Sequence, residues 1–426
     1  MSTAIATVSP ARVLSAADVR QTVRDALRAI PAGARVLAVI PDRTRDDNTD
    51  LLFPMLSQEL AARGASQFDA LVAQGTHPAM SDGEKRAKIG AGLADMPLLG
   101  TVFDHHWDRP SELITLGTLS GSEVSSLSGG LMAQDVPVQL NARLAPGLYD
   151  YVFVVGATVP HEVAGFAGGS KYFFPGVAGP ELTHLTHWLG ALASIERVIG
   201  RVDTPTRRVI EAAADRVTTP VIAFTSVSTR RDSGLLTHAL FTGSLRETVR
   251  QAAAVSAQVH VRYTGRRYQR VIALLDEHYD ELWVGGKASY KLGGIIEDGG
   301  ELVIYAEHLK GISTTHGRLI EKYGYAPLET VREMVEGSDE LRANLCVAAH
   351  LAHVSYGSRI GTDGKIAPRY RITLASGISE EVCARVRLGY QALADVDLEG
   401  ARRDPDTLVV EHAGRDLYLI EPDRNP

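Results

Sequence analysis

The stretch Val36-Leu37-Ala38-Val39-Ile40-Pro41-Asp42-Arg43-Thr44-Arg45 sets the reading of the fold. Five consecutive apolar residues read as a short buried strand, which runs into proline and a charged loop. The amphipathic stretch Leu52–Arg63 follows, so strand, loop and helix come in that order. The same succession recurs with strands at Phe68–Ala73, Tyr149–Val155 and Val221–Phe224, and helices at Ala17–Ala29 and Thr206–Arg216. Such alternation implies βαβ units and mostly parallel sheets.

A second group follows the basic, aromatic segment Tyr263–Gln269, which reads as a hinge. Its expected strands are Glu281–Val284, Glu301–Tyr305 and Tyr370–Ala375, with helices near Ala326–Glu336 and Ser379–Leu388. The tail Thr407–Ile420 reads as a hairpin around an Ala-Gly-Arg-Asp turn. A chain of 426 residues suits two domains. The expected architecture is therefore α/β, two domains each with a mostly parallel sheet flanked by helices, and an active site in the interdomain cleft. Residues 1–262 would form the cofactor-binding domain, rejoined by 389–426. Residues 263–388 would form the second domain and complete the substrate site.

Composition narrows the function classes. Apolar residues make up 45% and charged residues 22%, as in a globular protein with a real core. A net charge of −7 gives no reason to expect nucleic acid or an anionic membrane as partner. No apolar run approaches the ~20 residues that span a bilayer. The opening residues lack the charged start and apolar run of a signal peptide, so the cytoplasm is the expected location. Two cysteines, Cys346 and Cys383, cannot make a disulfide framework or a thiolate metal cluster. Lysine occurs only eight times among 44 basic residues, so a lysine at a polar site points toward amine chemistry. Lys171, Lys287 and Lys291 draw notice for that reason.

Ligands of open α/β sheets sit outside the carboxyl ends of the strands. Three expected strands deliver ionisable residues there: Asp42 to Arg45 after the first, Gln74-Gly75-Thr76-His77 after the second, and Gly156 to His161 after the third. Taken singly, Asp42 reads as a helix cap or turn residue, and each histidine as an ordinary hydrogen-bonded one. Three such loops at one edge make a site. The last continues as His161-Glu162-Val163-Ala164-Gly165-Phe166-Ala167-Gly168-Gly169-Ser170-Lys171 and on through Pro175-Gly176. Its glycines let the backbone bend tightly and present N–H groups to an anion. Lys171 adds a point charge or a nucleophilic amine. No Ser or Thr follows the lysine and no G-x-G-x-x-G is present, so neither a Walker A loop nor a dinucleotide fingerprint is supported. Downstream, His184 and His187 lie three residues apart and would share a helical face. A single metal-binding histidine fits as well as a pair, and a capping role for either stays open.

These residues resemble the nickel-dependent lactate racemase family. The match rests on Pro160-His161 through Lys171 to Gly176 and on the ordered anchors Asp42-Arg43-Thr44-Arg45, Gly75-Thr76-His77, His161, Lys171 and His187. The resemblance implies inversion of the Cα of a 2-hydroxy acid by reversible hydride transfer. It implies a nickel-pincer nucleotide, the nickel complex of pyridinium-3,5-bisthiocarboxylic acid mononucleotide, attached to Lys171 as a thioamide. His187 would complete the coordination of Ni, whose soft, square-planar set suits nickel(II). His77 and His161 would be the paired acid/base residues, one for each enantiomer. Asp42 and Thr44 match positions near the cofactor, and Gly168, Gly169 and Ser170 would hold its phosphate. Arg45 would clamp the substrate carboxylate, and Tyr290 and Lys291 would reach the substrate. The enzymes that synthesise the cofactor would be maturation partners.

The family pattern has a lysine four positions beyond the tyrosine, where this chain has Gly294; here Lys291 directly follows Tyr290. A 2-hydroxy acid other than simply lactate is therefore expected, using the space that Gly294 leaves. Arg369-Tyr370-Arg371 is a further substrate-binding candidate, read equally well as part of an exposed edge strand. Two other readings compete. One is a nucleotide-dependent oxidoreductase or lyase acting on a small hydroxy acid, favoured only by generic α/β architecture. The other is a non-catalytic binder, against which the paired histidines argue.

Overall fold

The computed structural model describes residues 13–231, 234–362 and 364–422, together with the backbone of 5–8. The chain divides into two compact units, 1–186 with 202–259 and 187–201 with 260–426.

The first unit is built on a seven-stranded sheet. Its order is Ile5–Val8, Gly234–Gly243, Val221–Arg231, Tyr151–Ala157, Arg35–Pro41, Gln67–Ala73 and Val102–Phe103. The last five run parallel, and Gly234–Gly243 is antiparallel to its neighbours on both sides. Every residue of Arg35–Pro41 after the first is buried, as a strand covered on both faces requires. One face packs against the helices Ala16–Ala26 and Thr49–Ala62 through Val19, Val23, Leu52, Leu56 and Leu60. A run of rings crosses this core: Phe53 stacks on Phe68 at 4.5 Å, and Phe153 lies 5.2 Å from Phe224. Ser15 starts the first helix with a capping box, accepting from the Asp18 N–H while the Asp18 carboxylate accepts from Ser15. Such a cap stabilises a helix by about 1 kcal/mol.

The second unit holds a five-stranded, wholly parallel sheet. Its order is Gly389–Tyr390, Arg371–Ser376, Ile296–Ala306, Tyr268–Leu274 and Thr407–Val410. The chain is thus a mixed α/β protein with parallel-strand sheets flanked by helices. No helix among the described residues is long and apolar enough to cross a membrane.

Three local expectations are corrected. Glu281–Val284 is not a strand: Leu282–Gly285 is a short helix. A four-residue apolar run carries no period of its own, and the Glu281 carboxylate takes the Thr314 N–H at 2.7 Å, which turns the chain there. The tail is not a hairpin. Thr407–Val410 pairs in parallel with Tyr268–Leu274, while Leu417–Leu419 pairs in parallel with Val261–Tyr263. Asp276 pins the intervening segment through His412 at 2.6 Å and Arg415 at 2.5 Å. Residues 389–426, expected to rejoin the first domain, therefore lie in the second unit, as do residues 187–201.

Candidate active site

The carboxyl edge of the first sheet gathers the residues singled out from the sequence. Tyr151–Ala157, Arg35–Pro41 and Gln67–Ala73 are neighbours, with Pro41 paired to Ala73 and Val39 to Val154. The three loops that follow them therefore leave side by side. The Gly75 N–H donates to the Gly176 carbonyl at 2.9 Å, tying the His77 loop to the end of the lysine loop.

Asp42 is buried, and its Oδ2 lies 2.6 Å from His77 Nδ1. Its Oδ1 accepts from the Thr44 backbone N–H at 3.0 Å and from the Thr44 hydroxyl at 2.6 Å. Burial by itself would raise the Asp42 carboxyl. The charge and hydrogen bond of His77, then Arg45 and Thr44, outweigh it and hold the group ionised far below the ordinary range. A carboxylate accepts from Nδ1–H, so neutral His77 exposes its lone pair at Nε2.

His161 is arranged the other way. Its Nδ1 accepts the Val163 backbone N–H at 3.1 Å, so the neutral ring carries its proton on Nε2. The Glu162 carboxylate stands 3.5 Å from the same Nδ1. His161 is buried and His77 keeps about a fifth of its side-chain exposure (21%).

Lys171 lies on the short 3-10 turn Gly169–Tyr172 and is only partly exposed. Burial pushes its amine down to about 7, and the charges of Arg45 and Arg207 push the same way against Glu162 and Asp42. Roughly half of the amine is neutral at pH 7, against about one part in a thousand or less for an ordinary lysine. A neutral amine can be acylated, and Arg45 and Arg207 bring two guanidinium charges to its surroundings, set against the Glu162 and Asp42 carboxylates. This donor set fits a nucleotide that joins through a thiocarboxyl carbon and carries a phosphate.

Two residues of this site carry no local sequence signal. Arg207, buried on the helix Pro205–Ala214, donates to the carbonyls of Phe166 and of Gly168, the latter at 3.2 Å. It staples the glycine turn from beneath, and burial lowers its guanidinium to about 10. Thr158 packs under the same turn. The glycines at 168 and 169 are required by these contacts, since both have positive φ. A Cβ at Gly168 would stand 2.5 Å from Thr158 Oγ1, and one at Gly169 would stand 2.5 Å from Val249 Cγ2 and 2.8 Å from the Leu245 carbonyl. Their smallness serves the protein's own packing, and Ser170 beside them is buried.

Residues 11–199 match the family model described as the lactate racemase N-terminal domain. Over that stretch, somewhat under half of its length, the chain is similar to the lactate racemase family. A curated lactate racemase from Thermoanaerobacterium thermosaccharolyticum is 27% identical over 154 residues, 36% of this chain and 32% of that protein. The matched part thus spans about a third of that relative's length. A crystal structure of a Thermotoga maritima protein superposes with a TM-score of 0.88 at 29% identity, covering 97% of this chain and 99% of that one. The lactate racemase apoprotein from T. thermosaccharolyticum superposes with a TM-score of 0.70 at 17% identity, covering 95% and 93%. At that identity the second likeness is one of fold.

The remaining residues suggested by the lactate racemase resemblance fall in the second unit. His184 and His187 share the helix Pro180–Leu192, and the boundary between the units falls between them. His184 packs edge-on to Trp107 at 5.8 Å in the first unit, and burial lowers its imidazole. His187 belongs to the second unit, where its charge is among those that, after burial, hold His350 well below the ordinary imidazole range. The Tyr290 hydroxyl lies 2.7 Å from His350 Nδ1, and the Tyr325 hydroxyl 3.2 Å from its Nε2. Lys291 is buried, and the Lys287 ammonium lies 5.5 Å above the Tyr279 ring.

Two expectations about the substrate end need correction. Gly294 leaves no open space: a Cβ there would stand 3.3 Å from the Tyr356 hydroxyl and 3.4 Å from the Tyr418 carbonyl. Arg369 is a structural clamp, buried between Asp298 at 2.9 Å and Glu196 at 2.5 Å, and donating to the carbonyls of Gly293 and Ile296. Arg371 is exposed and pairs with Glu301 at 2.8 Å.

Proposed function

We propose that the chain is a racemase or epimerase that inverts the Cα of a 2-hydroxy acid, with the nickel-pincer nucleotide held covalently by Lys171. The observation that carries this reading is the opposite proton arrangement of two histidines at one sheet edge, beside a lysine whose amine is half neutral at pH 7.

When bound, the pincer nucleotide would accept hydride from Cα and return it to the other face. The protein's own part is proton handling and positioning. His77 Nε2 has the free lone pair and takes the hydroxyl proton of one enantiomer, while ionised Asp42 steadies the imidazolium that results. His161 Nε2–H gives a proton to the oxygen of the opposite enantiomer as that product forms. Each ring then re-equilibrates with solvent before the next turnover in the same direction. Arg45, whose charge reaches both Asp42 and Lys171, clamps the carboxylate so that the rest of the acid can turn about it. His187 is the proposed nickel ligand, and Tyr290 and Lys291 the residues proposed to reach the substrate. The enzymes that make the cofactor are the proposed maturation partners.

A panel of enantiopure 2-hydroxy acids, followed by loss of optical activity after co-expression with those enzymes, tests the reading. His77→Gln and His161→Gln should each abolish inversion while ligand still binds. Unimpaired inversion in either variant would remove the proposed acid/base pair.

A further inference from the structure

The second unit carries a cleft that the proposed reaction does not use. About 250 Å³ in volume, it is lined by Arg359, Arg371 and Arg387 over a floor that includes Pro368, Ile372 and Leu388. It lies where the strands Arg371–Ser376 and Gly389–Tyr390 begin, at the amino ends of the parallel sheet. All three arginines are exposed. Arg371 is answered by Glu301, whereas Arg359 and Arg387 make no ion pair among the described residues. The cleft therefore presents two guanidinium charges beyond the one that Glu301 offsets.

Arg387 shows that the cleft is built. The helix Glu380–Arg385 ends in a Schellman motif, with the Leu388 N–H on the Cys383 carbonyl at 2.9 Å and the Arg387 N–H on the Ala384 carbonyl at 3.1 Å. Arg387 occupies the left-handed position of that motif with φ 62°, where glycine is the favoured residue. Its stem lies across Gly324, where a Cβ would come within 2.8 Å of Arg387 Cγ and 2.9 Å of Cδ. Gly324 has φ 69°, which itself favours glycine, and its missing side chain leaves room for that stem. The arginine at 387 has no such local reason, so its guanidinium is what the position serves.

We propose that this cleft binds the dianion of a phosphate monoester whose organic part is apolar. Arg359 and Arg387 take the phosphate oxygens through charge-assisted, fork-shaped hydrogen bonds, with Arg371 at the rim. The two unanswered charges match a dianion, and the aliphatic floor matches the organic group. This site is independent of the reaction proposed for the first unit's sheet edge.

Phenyl phosphate titrated into the full-length chain at low salt, followed by calorimetry, tests the proposal. Wild type should bind saturably, and Arg387→Gly and Arg359→Gln should each weaken binding by about tenfold or more. Arg387→Gly places glycine at a left-handed position, so its melting temperature should equal or exceed that of wild type. Loss of binding in that variant is then not loss of folding. Absence of saturable binding in wild type would overturn the proposal, as would unchanged affinity in both variants, which would locate the anion elsewhere. Inorganic phosphate binding as tightly as phenyl phosphate would overturn the apolar half of the assignment.

Discussion

Replacing Lys171 with methionine should stabilise the chain without its cofactor at neutral pH and do progressively less as pH rises. The amine falls from an ordinary 10.5 to about 7 on folding, mainly through burial. Each unit of such a drop corresponds to about 1.4 kcal/mol, so the charged amine would cost the folded state about 5 kcal/mol at and below neutral pH if none of it were screened. Lys171 keeps partial contact with solvent, which reduces the expected gain to about 2–3 kcal/mol. The sign follows from proton counting. Between about pH 7 and 10.5 the unfolded chain holds the amine proton and the folded chain has released it, so wild-type stability rises with pH across that window. Lys171→Met lacks this slope. Denaturant unfolding should show the variant ahead by about 2–3 kcal/mol near pH 6.5, with more than half of that lead gone near pH 9.5. Acylation of the wild-type chain, read from the mass of the Lys171 peptide, should show a midpoint near pH 7 while the other lysines react at higher pH. Parallel stability curves for the two proteins, or labelling of Lys171 only in the ordinary lysine range, would refute the reasoning.

Arg207→Met should move the labelling midpoint of Lys171 upward, because Arg207 is one of the charges that lower the amine; an unmoved midpoint would contradict that electrostatic link. Gly169→Ala should cost about 2–3 kcal/mol in denaturant unfolding, since it places a side chain at φ 60° against Val249 and the Leu245 carbonyl. Asp42→Asn should lower turnover of the cofactor-loaded protein by about a hundredfold with little change in substrate binding, because the neutral amide cannot steady the His77 imidazolium. The same variant bears on acid stability. Ionised Asp42 contributes above the ordinary carboxylate range and loses that contribution as pH falls below about 4, so the variant's acid limb should be shallower than wild type's.

The first sheet and its edge could be read from the sequence because each strand is a compact apolar run ended by polar residues. Val36–Ile40, Phe68–Ala73 and Tyr149–Val155 each found their strand within a few residues, and the loops after them meet where strand order predicts. Arg207 could not be read in the same way. It lies well past Lys171 on an amphipathic helix, and its carbonyl partners are defined only once the glycine turn is folded. The second unit was less legible for a related reason. Glu281–Val284 and the tail are short apolar runs whose conformation is decided by distant partners, Thr314 for one and the edges at Tyr268–Leu274 and Val261–Tyr263 for the other. Glycine presented the subtlest case. Gly294 reads as room for a ligand, and Gly168 and Gly169 as a turn that offers its N–H groups to an anion, whereas a side chain at these positions would meet Tyr356, Thr158 and Val249.

The central claim is that Lys171 holds the cofactor through which a 2-hydroxy acid is inverted. The most direct measurement joins both parts in one preparation, co-expressed with the cofactor-synthesis enzymes and given a 2-hydroxy acid deuterated at Cα. The account predicts a Lys171 peptide heavier by the thioamide-linked nucleotide, and an inverted product that keeps its deuterium. An unmodified Lys171 peptide alongside inversion, or a product whose deuterium has washed into solvent, would contradict it.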